Sequence, residues 1–89
     1  MIWKIILSQE AEKFLTRQHL PKEEVFELAR RSIRKLQGED INVDIKKLKG
    51  EWSGFYRSRA GKLRVIMEFD FDNLSAFVER VDYRGSVYR

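Results

Sequence analysis

Four cations crowd around one glycine in the stretch Phe55-Tyr56-Arg57-Ser58-Arg59-Ala60-Gly61-Lys62-Leu63-Arg64. Guanidinium groups hold phosphate through paired N–H donors. Several on one surface suit a nucleic-acid backbone, or the charge that builds on phosphorus during strand cleavage. Whether they share a surface depends on spacing. Phe55 to Arg59 and Leu63 to Phe69 read as two strands, with Ala60-Gly61 as a two-residue hairpin loop. In that register Arg59 stands opposite Lys62, Arg57 opposite Arg64, and Phe55 opposite Ile66. Cross-strand partners share a face and side chains alternate along a strand. The pattern therefore predicts Arg57, Arg59, Lys62 and Arg64 on one face, with Tyr56, Ser58, Leu63, Val65, Met67 and Phe69 on the other. Like charges opposite one another cost stability, so an anion is expected on the cationic face. The same cations also suit a plain solvated hairpin face.

The chain has 89 residues and a formal net charge of +4. That length suits a single domain over residues 1–89 with a modest core, and the charge points to an anionic partner. From Lys46 to Arg64 seven basic residues stand against one acid, Glu51, so the excess is local. The absence of cysteine excludes disulfides and thiolate metal sites and fits a reducing cytoplasm. No stretch approaches membrane-spanning length, and Met1 to Leu7 is too short for a signal-peptide core. No metal or cofactor is expected.

The hairpin must be carried by the elements around it. Ile2 to Leu7 is an apolar run that reads as a buried strand. Ser8 is a candidate helix N-cap, with Glu10 in the first turn; Ala11, Phe14 and Leu15 form a short apolar stripe, and this helix is expected to end near His19 and Leu20. Pro21 opens a second helix in which Val25, Leu28, Ala29, Ser32, Ile33 and Leu36 recur at helical spacing, and Gly38 stops it. Arg30, Arg31, Arg34 and Lys35 are expected on its exposed face. Ile41, Val43, Ile45 and Leu48 suggest a short extended segment at the core edge, followed by the basic connection Lys46-Lys47-Leu48-Lys49-Gly50. Asp70 to Asn73 reads as a turn and Ser75 to Val81 as another strand. A two-residue loop at Asp72-Asn73 would turn Arg80 into the core, so a longer loop or a bulge is expected. The predicted fold class is α+β in the order β-α-α-β-β-β, a mostly antiparallel sheet with two N-terminal helices packed on one face.

Three pieces in this order resemble the RelE/ParE superfamily of toxins from toxin–antitoxin pairs. They are Lys47-Leu48-Lys49-Gly50, the Tyr56-Arg57-Ser58-Arg59-Ala60-Gly61-Lys62-Leu63-Arg64 hairpin, and Arg84 followed by Val87-Tyr88. The resemblance covers most of the chain. It implies the RelE-like microbial RNase fold and a metal-independent endoribonuclease that cuts mRNA in the ribosomal A site and so inhibits translation. The implied partners are a cognate antitoxin, in a heterotetramer as one form of the complex, together with mRNA and the 70S ribosome with its 16S RNA. The retained Arg84 and Tyr88 favour this RelE-like branch. A ParE-like DNA gyrase poison and a non-enzymatic or degenerate RNA-binding toxin are the alternatives. Tyr83 stands where many relatives carry a histidine, and the longer C-terminal helix of some members has no counterpart before Arg89.

On that resemblance Arg57, Arg59 and Arg64 would bind phosphate and stabilise its developing charge. Arg84 would donate a proton or add a second clamp, and Tyr88 would act as base or as a base-stacking platform. Lys46, Lys47, Lys49 and Lys62 would contact RNA or the ribosome. Arginine stays protonated and tyrosine ordinarily titrates near 10, so Tyr88 can act as base only where cations stabilise its phenolate. An enzyme of this kind should be slow on free RNA and depend on the ribosome to hold the message in an attack-ready geometry. His19 reads as a surface or cap residue, and Trp3, Phe14 and Phe26 as core or edge residues. Trp52 sits at the mouth of the hairpin with its role open, and Tyr83 either stays exposed or packs onto the sheet.

Overall fold

The computed structural model describes residues 2–83. Its elements are β1 (Lys4–Leu7), α1 (Gln9–Gln18), α2 (Lys22–Leu36), β2 (Asp44–Lys47), a 3-10 turn (Gly50–Trp52), β3 (Tyr56–Ala60), β4 (Leu63–Asp70) and β5 (Ser75–Tyr83). The strands form one sheet in the order β1-β5-β4-β3-β2. Only β1 and β5 run parallel. Both helices pack on one face, α1 against β5 and β1, and α2 against β3. The α+β class and the expected order hold, with one strand added: the extended segment before the hairpin is an edge strand, β2, so the sheet has five strands.

The helix signals act as their chemistry dictates. The Ser8 hydroxyl accepts from Ala11 N at 3.0 Å and caps α1. His19 closes α1 in the left-handed region, φ 54°, its N–H directed at the Leu15 and Thr16 carbonyls. Pro21 is the N-cap of α2. The apolar stripe of α2 buries Val25, Leu28, Ala29 and Ile33 against Leu63, Val65, Met67, Val78 and Val81 of the sheet. Within this core Ser32 and Ser58, both fully buried, share a 2.6 Å hydroxyl contact, and Ser32 also donates to Leu28 O at 2.8 Å. A buried polar pair is tolerated when its donors and acceptors are met in this way.

The α2 cations are not a free basic face. Arg31 donates to Asn42 O, Lys35 to Ile41 O at 3.2 Å, and Arg34 pairs with Glu39 at 2.9 Å. Together they fasten the α2–β2 connection.

Ile2 to Leu7 is not a buried strand. Ile2 is 91% and Ile6 42% exposed, because β1 is a sheet edge whose single neighbour is β5. Its apolar residues divide between the core face (Ile5, Leu7) and the open one (Ile6).

The hairpin also departs from the sequence register. The loop is Gly61-Lys62, and the pairs are Ala60–Leu63, Arg59–Arg64, Arg57–Ile66 and Tyr56–Met67. Gly61 has φ 61° and Lys62 does not share the positive φ, the pattern of a II′ turn, which wants glycine first. An Ala60-Gly61 loop would have placed alanine there. Each partner moves by two residues, an even shift, so every side chain keeps its face. Lys62 alone leaves the face, for the turn.

The β4–β5 connection is four residues long, Phe71 to Leu74, braced by Asp70, which accepts from Asp72 N, Asn73 N and Asn73 Nδ2. Leu63 to Ile66 pair with Tyr83 to Arg80, then Met67 pairs with Val78. Glu79 is therefore an extra residue, a β-bulge. It lets Val78 and Val81, three apart, both point into the core, and it turns Arg80 outward. Ser8 secures the bulge: its N–H donates to Val78 O at 2.9 Å and its hydroxyl to Glu79 O at 2.7 Å.

One hydroxyl thus serves a helix cap and a bulge carbonyl. Ser8→Ala is expected to cost about 2 kcal/mol of unfolding free energy by urea titration, the sum of a lost cap and a lost hydrogen bond. Ser8→Asp should not restore it, because an ionised carboxylate caps but cannot donate to Glu79 O. Full stability in Ser8→Asp would refute this double role.

Candidate nucleic-acid interface

The face of the sheet turned away from the helices carries the charges. Alternation and register set its residues in two rows across β2, β3, β4 and β5. One row is Asp44, Arg59, Arg64 and Asp82; the other is Lys46, Arg57, Ile66 and Arg80. Arg57, Arg59 and Arg64 are thus brought together as the sequence predicted. The expected anion is partly internal. Asp44 Oδ1 accepts from Arg57 Nη2 and Asp44 Oδ2 from Arg59 Nε, both at 3.0 Å. Asp82 Oδ1 accepts from Arg64 Nε at 3.1 Å. The like-charged neighbours Arg59 and Arg64 are flanked by a carboxylate on each side, which offsets their repulsion.

The two carboxylates sit in different surroundings. Asp44 is half exposed, and the hydrogen bond from Arg59, with the charges of Arg59 and Arg57, holds its carboxyl below the usual carboxylate range. The Arg64 and Asp82 side chains are only 13% and 11% exposed, so this pair lies in a poorly screened site where each ion depends on the other. Arg57 is also largely covered, and its buried Nε–H has no hydrogen-bond partner among the described residues.

Lys46 lies on the open face beside Arg57, whereas Lys47 stands opposite Tyr56 on the helix side. Lys49 precedes the 3-10 turn. Lys62, expected on the cationic face, is in the hairpin turn with its ammonium 5.7 Å from the Tyr83 ring centre. Tyr83 belongs to β5 and packs on Phe14 of α1, ring centres 5.2 Å apart. The predicted site residues Arg84 and Tyr88 lie outside the described residues. His19, at the end of α1, is remote from the open face.

Two residues of this face, Asp44 and Asp82, have no place in the sequence reading. Asp44 alternates with Val43 and Ile45, a signal that could have placed it beside Lys46. Arg80 and Asp82 are set by the bulge at Glu79: alternation around Arg80 predicts a longer loop or a bulge, and both are present, but it does not predict that Asp82 then meets Arg64. Among the described residues no cluster of histidine, cysteine or carboxylate side chains suits a metal ion, and no helix is long and apolar enough to cross a membrane.

The two ion pairs should answer differently to perturbation. Arg64→Ala strands Asp82 in its covered site and is expected to cost about 3–5 kcal/mol of unfolding free energy, while Arg59→Ala shifts the midpoint little. Equal losses in urea titrations would contradict the assignment. For Asp44 the folded carboxyl titrates below its ordinary value of 3.8. As pH falls the unfolded chain takes up that proton first, so the contribution of Asp44 is complete above about pH 4 and fades as pH drops through the folded value. The stability gap between wild type and Asp44→Asn should therefore be constant near neutrality and close on acidification below pH 4. A gap that persists unchanged at pH 2.5 would contradict the pairing.

No family model and no curated protein matches the sequence. Solved structures do match in shape. The toxin–antitoxin complex RelBE2 from Mycobacterium tuberculosis aligns over 94% of this chain and 100% of its own, with a TM-score of 0.62 and 23% identity. The archaeal RelE–RelB complex from Pyrococcus horikoshii aligns over 98% and 100%, with a TM-score of 0.59 and 25% identity. A point variant of YafQ from E. coli aligns over 99% and 100%, with a TM-score of 0.65 and 14% identity. What this chain shares with all three, over nearly its whole length, is one architecture, and that architecture is the RelE-like toxin fold.

Proposed function

We propose that this chain is the toxin of a toxin–antitoxin pair and acts as a ribosome-dependent endoribonuclease on mRNA in the A site. The observation that carries the reading is the gathering of Arg57, Arg59 and Arg64 on the open face of a RelE-like sheet, clear of both helices. In the proposed reaction the ribose 2′-oxygen loses its proton and attacks the adjacent phosphorus. The P–O5′ bond breaks and the leaving 5′-oxygen takes a proton. Three guanidinium groups supply what the phosphorus centre needs, fixed positive charge and paired donors for its non-bridging oxygens. Arg84 and Tyr88 complete the proposed set, as proton donor or second clamp and as base or stacking platform.

The surroundings of the arginines favour a slow enzyme that needs help. Asp44, the exposed carboxylate nearest Arg57 and Arg59, is held in its ionised form by them and is a weak proton acceptor. The arginines must also exchange part of their carboxylate contacts for phosphate. Both features suit catalysis that waits for a host surface to orient the message. Lys46, Lys47, Lys49 and Lys62, spread around β2, the 3-10 turn and the hairpin tip, suit diffuse contacts to ribosomal RNA. A cognate antitoxin would neutralise the toxin by laying an acidic segment over the same face, and both would work in the cytoplasm with the ribosome.

The decisive assay is induction of the protein followed by primer-extension mapping of message ends, with cleavage timed on programmed ribosomes. Cuts inside codons of translated messages are expected, slowed by about a hundredfold or more in Arg57→Ala/Arg59→Ala. That variant leaves the covered Arg64–Asp82 pair intact, and a thermal melt separates loss of activity from loss of fold. DNA breaks with intact messages would instead establish the gyrase-poison alternative, and neither effect would leave a non-enzymatic RNA-binding or degenerate toxin.

A further inference from the structure

The second row of the open face has a feature that the three hairpin arginines do not explain. Arg80 is exposed on β5, opposite Ile66, which is itself opposite Arg57. Its guanidinium carbon lies over the Trp52 ring, 5.5 Å from the centre. Trp52 in turn meets the Phe55 ring at 5.3 Å and 89°. The turn that carries Trp52 is tightly made: Ser53 N donates to Gly50 O at 3.0 Å, Phe55 N to Trp52 O at 2.9 Å, and Leu48 N to Phe55 O at 3.0 Å. Among the described residues no carboxylate pairs with Arg80 or Lys46. The row Asp44, Arg59, Arg64, Asp82 is charge-balanced within itself; the row Lys46, Arg57, Ile66, Arg80 is not.

We infer that Lys46, Arg57 and Arg80 form a phosphate-binding row for single-stranded RNA, in which Trp52 is a positioning residue that seats the Arg80 guanidinium. The inference rests on the ribonuclease reading above and deepens it by adding a backbone track beside the reacting phosphate. Arg57 and Arg80 stand two strand spacings apart, about 10 Å, on one face, so they can grip separate phosphates of one strand. Arg57 also brings the buried, unpartnered Nε–H, whose cost an anionic acceptor nearby would relieve. A guanidinium seated on an indole keeps its planar fork facing outward and loses less freedom when phosphate binds than an unsupported arginine does. An acidic peptide would use the charges but not the aromatic pair beside them. Cations set beside aromatic rings, here the half-buried Trp52 and Phe55, are the form of a single-strand track. The bulge supports the same conclusion, since without it Arg80 would face Val65 in the core.

The test uses the full chain and a short single-stranded RNA with 2′-O-methyl groups, which binds but cannot be cut. Affinity is measured by fluorescence anisotropy over a range of salt. Arg80→Gln should weaken binding about fivefold at 0.1 M salt and lower the slope of log K against log salt by about 0.7, the signature of one lost phosphate contact on a single strand. Trp52→Ala, with its folding checked by thermal melting, should weaken binding several-fold and leave the slope unchanged, because the charge remains and only its seat is gone. Lys13→Ala, on α1, should change neither. Normal affinity and slope in Arg80→Gln, alongside losses in Arg57→Ala, would overturn the inference and leave RNA binding standing, with Arg80 then free for a protein contact. No RNA binding by the wild type would overturn the inference and the ribonuclease reading together.

Discussion

One extra residue in one strand decides what the open face can do. Strand side chains alternate, so an inserted residue reverses the assignment of all that follow it. Before Glu79, β5 sends Val78 and Ala76 to the core; after it, Val81 goes to the core, and Arg80 and Asp82 go outward. Without the bulge Arg80 would be driven against Val65, and Arg64 would lose the covered carboxylate of Asp82. A bulge leaves unpaired backbone groups, and here the Glu79 carbonyl is met by the Ser8 hydroxyl. The same hydroxyl starts α1, so the helix that covers the sheet and the strand that equips its far face are fixed by one side chain.

The rest of the charge arrangement follows from that geometry. A cluster of cations on neighbouring strands repels itself, and solvent alone would leave it loose. Asp44 from β2 and Asp82 from β5 bracket the hairpin arginines and hold the guanidinium groups in defined positions. These contacts have unequal strength. The Asp44 pair is exposed and exchangeable, while the Arg64–Asp82 pair is covered and structural in weight. A phosphate arriving on this face would find Arg57 and Arg59 able to change partners, with Arg64 held in place beside them.

Much of this was legible beforehand. Periodicity located α1 and α2 and their buried stripes, Ser8 and Pro21 marked their starts, and the two faces of β3 and β4 followed from alternation. Spacing alone puts glycine second in the hairpin loop, whereas the turn takes it first; the partners differ by an even number, so the faces survive. Only Lys62 changes place, from the face to the turn. The apolar residues of β1 predict a buried strand, but edge position is a property of the sheet rather than of the segment.

What the sequence determined by itself is therefore local: helix caps, stripe and strand periods, a basic window from Lys46 to Arg64, and the face on which Arg57, Arg59 and Arg64 lie. These depend on neighbours a few residues apart, where backbone geometry allows few choices. What only the tertiary structure decided is which distant groups meet those arginines. Asp44 lies just before that window and Asp82 well beyond it, and Arg80 meets Trp52 from 28 residues away in the chain. Strand order, and one bulge held by a serine at the opposite end of the chain, set those meetings; local alternation asks for a longer loop or a bulge near Arg80, but no short-range pattern says what it brings Arg80 and Asp82 against.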